Sequence, residues 1–123
     1  MWRSMLVVGL GCFVGGALRY ALSMWMKPLC AHGFPWGTLA VNLLGCVVFG
    51  VVMGLFSKYS SSTHTVCLLL TTGACGGFTT FSTFAYEGMQ LLHQGNITLC
   101  AVYVLLSVIV GLALVASAYW TVQ

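Results

Sequence analysis

Apolar residues fill four stretches of the chain, at about 4–26, 36–56, 66–92 and 98–120, and polar residues gather between them. An α-helix needs roughly 20 residues to cross about 30 Å of hydrocarbon, and each stretch reaches that length. The pattern predicts an all-α membrane protein, four transmembrane helices in a single domain over residues 1–123. The predicted connections are the loop from Lys27-Pro28 to Pro35, the polar stretch Ser57–Thr65 with Lys58 and His64, and the turn His93-Gln94-Gly95-Asn96. Trp36 and Trp120 stand at the expected interfaces, as the aromatic belt of a membrane protein does.

The third stretch departs from the pattern. Gly73, Gly76, Gly77, Thr79, Thr80, Ser82 and Thr83 fall where a membrane helix carries Leu and Val. Glycine is the weakest ordinary helix former, and three so close together predict a break in the middle of the helix. Lipid cannot satisfy the backbone groups that a break frees, so they must face protein, water or an ion. This stretch is therefore the first candidate site.

Composition agrees with the class. The chain is 60% hydrophobic and 4% charged, with a mean hydropathy of +1.03, against about 25% charged residues in a soluble domain. Its +3 charge rests on four cations and one anion, too sparse for a nucleic-acid footprint. Of six cysteines, Cys12, Cys46, Cys67, Cys75 and Cys100 lie in apolar runs, where a free thiol acts as a small hydrophobe, and only Cys30 lies in a loop. A disulfide framework is not expected. Cys30-Ala31-His32 lacks the second half that a zinc site needs. The first stretch has no small-residue cleavage site and reads as a mature membrane helix.

The other stretches carry a few polar residues each. Gly11 and Gly15, and again Gly50 and Gly54, have the GxxxG spacing that lets helices approach closely. Arg19 reads either as a snorkelling anchor or as a cation at a pore mouth that draws in anions. Thr38 and Asn42 are four apart and share a helical face. Asn42 either bonds a neighbouring helix or donates its amide to an anion in transit. In the fourth stretch Tyr103 and Ser107 form a similar stripe, continued by Gly111. Glu87, the only acid, is expected at water or beside a basic neighbour.

An even number of spans puts both ends of the chain on one side. Arg3 and Lys58 lie on that side, Lys27 on the other, with Arg19 near it. The near balance predicts insertion in both orientations and pairing of opposed copies as an antiparallel homodimer. Carbonyls at a helix break coordinate cations such as Na+, and those of Gly76 and Thr79 are the candidates. Phe81 and Phe84 are three apart on one face, either as core or as rings presented edge-on to an anion. Thr79, Thr80, Ser82 and Thr83 interleave them with hydroxyl donors.

Three motifs in order carry a resemblance. They are Gly15-Gly16-Ala17-Leu18-Arg19-Tyr20, Gly37-Thr38-Leu39-Ala40-Val41-Asn42-Leu43-Leu44-Gly45, and Gly76-Gly77-Phe78-Thr79-Thr80-Phe81-Ser82-Thr83-Phe84. Over nearly its whole length the chain resembles the fluoride-specific ion channel family (Fluc/CrcB type), the small dual-topology fluoride exporters of bacterial inner membranes. The resemblance implies an antiparallel homodimer with two fluoride pathways. It implies a central structural Na+, not transported, on main-chain oxygens of Gly76 and Thr79 from both copies. It further implies that Phe81 and Phe84 line the pathways and that Asn42 coordinates fluoride. Thr38, Ser82 and Thr83 match the family's hydroxyl track, Tyr103 and Ser107 its fourth-helix pore positions, and Arg19 its vestibule. Where some members carry a hydroxyl one turn after Ser107, this chain has Gly111.

No nucleotide motif and no ordered nucleophile and base pair are present, so passive flow is expected and an enzyme is not. A small multidrug-type proton-coupled exporter has a similar length and helix count, but it needs a carboxylate in the first helix, and this chain has none there. A membrane scaffold protein using the GxxxG faces for assembly leaves the polar residues of the third stretch without a role.

Overall fold

The computed structural model describes residues 1–59 and 64–123. Four helices are long and apolar enough to cross a membrane: Trp2–Trp25, Trp36–Tyr59, His64–His93 and Ile97–Val122, here the first to fourth spans. Strands are absent among the described residues, and most large apolar side chains point outward. An apolar exterior around a small buried centre is the arrangement lipid requires. The protein is a multi-pass membrane protein.

The connections differ from the sequence expectation in extent. The second span continues as helix through Ser57, Lys58 and Tyr59, and His64 and Thr65 already belong to the third. The polar stretch expected at Ser57–Thr65 is thus shortened at both ends, and 60–63 lie outside the described residues. A helix satisfies its own backbone and need not stop where its apolar run stops. The ammonium of Lys58 lies 5.4 Å from the Tyr59 ring centre, a contact available to a snorkelling chain at a helix end. The first loop contains a short 3-10 helix, Lys27–His32, opened by Pro28 and closed by Gly33 at φ +90°. The last turn is a Schellman cap: the Asn96 amide reaches the Leu91 carbonyl, the Gly95 amide reaches Leu92, and Gly95 sits at φ +84°.

Two glycine seams set the packing. The first span lies on the first half of the third, where a Cβ on Gly11 would meet the Leu69 carbonyl at 2.6 Å and one on Gly77 would meet the Cys12 carbonyl at 2.6 Å. The second span lies on the fourth, where a Cβ on Gly50 would come within 2.5 Å of the Val115 carbonyl and one on Gly54 within 2.6 Å of the Tyr119 carbonyl. Both GxxxG pairs therefore serve close backbone approach.

The glycines of the third span do not themselves lie in extended backbone. Leu69–Cys75 winds as wide π-type turns and Gly76–Phe78 is α-helical, with Gly76 at φ −62°, ψ −38°. Gly73 and Gly77 are spent on contact with the first span. Extended geometry falls instead on Thr79 (φ −84°, ψ 159°) and Thr80 (φ −149°, ψ 122°), and helix resumes over Phe81–His93.

Candidate functional site

Two extended residues within a span oblige the surrounding structure to satisfy their backbone. Asn42 of the second span does so. Its Nδ2 donates to the Thr80 carbonyl at 3.0 Å, and the Thr80 amide donates to its Oδ1 at 2.8 Å. The reciprocal pair fixes which way the side-chain amide faces, and Nδ2 retains a second N–H. Of the two roles open to Asn42, the interhelical bond is the one occupied in this structure. Gly45, one turn on, leaves room for the Thr79 methyl and the Phe78 ring.

Thr80 also caps the helix that follows. Its hydroxyl accepts the Thr83 amide at 3.3 Å and donates to the Thr83 hydroxyl at 3.2 Å. The Thr79 hydroxyl turns back to the Cys75 carbonyl at 2.9 Å.

These bonds redirect two donors. In a continuous helix the Gly76 carbonyl takes the Thr80 amide, and the Thr79 carbonyl takes the Thr83 amide. Here the first amide goes to Asn42 and the second to the Thr80 hydroxyl. The Gly76 and Thr79 carbonyls thus lose their helical donors together, and both residues line one cavity. Neutral oxygens are the ligands a hard cation takes. Among the described residues no three His, Cys, Asp or Glu side chains cluster as a metal site, and the groove wall carries neutral oxygens.

The cavity is an open groove of about 570 Å³ between the second, third and fourth spans. Asn42, Gly76, Thr79, Phe81, Phe84 and Ser107 all line it. The Ser107 hydroxyl is buried and has no hydrogen-bond partner among the described residues. A buried hydroxyl left so costs about 1–3 kcal/mol, which a guest accepting its proton would relieve.

An aromatic string leads away from the groove. Phe81 and Phe84 lie 5.8 Å apart between ring centres, tilted by 53°, with Phe81 78% exposed at the open side. Phe84 lies 5.0 Å from Tyr103, and Tyr103 meets the edge of Phe34 at 5.6 Å. Tyr103 is fully buried, and its hydroxyl donates to Glu87 Oε1 at 3.3 Å. Glu87, which is partly exposed, thus accepts from a phenol as well as keeping access to the surface. A phenol has one proton to donate, so the Tyr103 hydroxyl is already committed.

The sequence candidates thus divide. Asn42, Gly76, Thr79, Phe81, Phe84 and Ser107 are brought together. Thr38 is buried near Tyr103, beyond Phe84. Ser82 and Thr83 are exposed and do not line the groove. Arg19 is half-buried in the last turns of the first span, away from the groove. Gly111 is buried, and a Cβ there would touch Cys46 Sγ at 3.4 Å, so the sulfur takes room that a longer side chain would need. Sequence reasoning missed the double role of Thr80, for which the Thr-x-x-Thr spacing before an apolar helix is the available signal. It also missed Cys46 and Cys75 on the wall.

The chain is similar in sequence to known proteins. A protein of Phocaeicola vulgatus named Fluoride-specific ion channel FluC is 42% identical over 118 residues, covering 96% of this chain and 97% of its own length. A protein of Leptospira interrogans with the same name is 37% identical over 121 residues, covering 98% of this chain and 95% of its own. One from Serratia proteamaculans, named likewise, is 50% identical over 96 residues, 78% of this chain and 75% of its own. The family model described as CrcB-like protein, Camphor Resistance (CrcB), matches residues 6–119, and the chain belongs to that family.

Proposed function

We propose that this protein is a fluoride-selective channel through which fluoride leaves the cell passively across the inner membrane, as a dimer of oppositely inserted copies. The observation that carries the reading is the single groove wall on which an unpartnered buried Ser107 hydroxyl, the Phe81 and Phe84 rings and the Asn42 amide stand together. Relatives that align over nearly the full chain bear the name of a fluoride-specific ion channel, which supports the same reading.

Fluoride is small and strongly hydrated, so its path must replace water closely and release the ion at each step. The second N–H of Asn42, the Ser107 hydroxyl and the positive ring edges of Phe81 and Phe84 are suited to that. None is a fixed positive charge that would hold the anion. The only acid is bonded to Tyr103, and no proton-coupled step is needed for flow down a gradient.

The Gly76 and Thr79 carbonyls fit a hard monovalent cation, and Na+ is the ion proposed. When bound, it would supply positive potential to an anion in low dielectric and join two copies through oxygens of each. The groove is open in one chain, and a second copy would close it against lipid.

The test is efflux from liposomes loaded with potassium fluoride and chloride, with valinomycin to carry the counter-charge. Rapid fluoride release with chloride retained is expected. Retention of both ions by liposomes containing folded protein overturns the reading.

A further inference from the structure

The groove wall carries two thiols that this function does not use. Cys46 lies one turn after Asn42 in the second span, and Cys75 lies about one turn before Thr80 in the third. The two spans run antiparallel, with Asn42 tied to Thr80 and Gly45 set against Phe78 and Thr79. That register brings position 46 opposite position 75. Both residues line the groove and both are free thiols. Cys75 is buried, and the Cys46 sulfur occupies the space beside Gly111. The other four cysteines do not line this groove.

Sulfur ligands select soft ions, and two opposed thiolates suit the low coordination of Cu(I) and Ag(I). We propose that Cys46 and Cys75 form a binding site for a soft monovalent cation, and that its occupation blocks the groove. On binding, each thiol loses its proton to water and each sulfur donates a lone pair to the ion; no electron is transferred. Two thiolates and one monovalent cation leave a single negative charge on the wall. In low dielectric that charge repels an anion passing beside it. The binding site stands on its own geometry, and only the block rests on the fluoride reading.

The probe is silver nitrate, in chloride-free buffer, on the full chain with Cys12, Cys30, Cys67 and Cys100 replaced by alanine. After desalting, elemental analysis should find one silver per chain, removable by dithiothreitol. Adding Cys46→Ala or Cys75→Ala, or the closer-sized Cys46→Ser or Cys75→Ser, should abolish retention. Silver should cut fluoride efflux from liposomes of the two-cysteine protein by about tenfold, and variants lacking either thiol, each compared with its own untreated rate, should keep theirs. No silver on the two-cysteine protein, or silver retained without the pair, overturns the site. Silver bound with efflux unchanged overturns the block. Silver bound to a protein that passes no fluoride even untreated leaves the site standing and removes the channel reading instead.

Discussion

Asn42 and Thr80, 38 positions apart, are joined by two hydrogen bonds at 3.0 and 2.8 Å, side-chain amide to main chain in both directions. The pair pays the Thr80 backbone for leaving the helix. Without it, an amide and a carbonyl would face the apolar interior unpaired, at roughly 1–3 kcal/mol each. Asn42→Ala is expected to destabilise the protein by about 2 kcal/mol or more, read from thermal or denaturant unfolding in detergent. A variant as stable as the parent would show that the clamp contributes nothing.

The glycine seam between the first and third spans makes a second expectation. A methyl on Gly77 would lie 2.6 Å from the Cys12 carbonyl, whereas one on Gly9 meets nothing within 4 Å among the described residues. Gly77→Ala is expected to cost about 1–3 kcal/mol by overpacking, and Gly9→Ala to be nearly neutral. Unfolding of the two variants side by side checks this, and equal effects would count against close backbone contact there.

Ser107 separates stability from function. Its buried hydroxyl has no partner among the described residues, so Ser107→Ala removes a polar group without breaking a bond seen there. Unfolding stability is expected to hold or rise while fluoride efflux falls. Loss of stability would mean that the hydroxyl has a structural partner; unchanged efflux would take it off the path.

How much of this is legible in the chain depends on how local the signal is. The four spans follow from long apolar stretches and lie within a few residues of their expected ends. That the third span is irregular is also legible, from its polar and small residues. Which residues leave the helix is not. Gly73 and Gly77 signal a break by propensity, yet contact with Gly11 and Cys12 holds them in helix, because the close approach outweighs about 1 kcal/mol per glycine. Thr79 and Thr80 become extended because Asn42, far off in sequence, is there to receive them. The bond from Tyr103 to Glu87 is equally invisible, since it depends on how the third and fourth spans dock. The Phe81 and Phe84 pair, by contrast, is set by helical spacing alone.

That pair supplies a further expectation. Replacing Phe81 or Phe84 by Ile keeps bulk and apolarity but removes the ring edge. Fluoride efflux should fall by about tenfold or more with the size-exclusion profile unchanged. Unchanged efflux in both variants would exclude conduction along ring edges.

The Thr79–Thr80 turn, which takes the helical donors from Gly76 and Thr79, is the feature on which the proposed cation site rests. Its most direct test is fluoride efflux from liposomes prepared with protein purified in sodium and in thoroughly sodium-free buffer. Efflux should be lost without sodium and return when sodium is restored before reconstitution. Equal efflux from both preparations would contradict a cation held at those carbonyls.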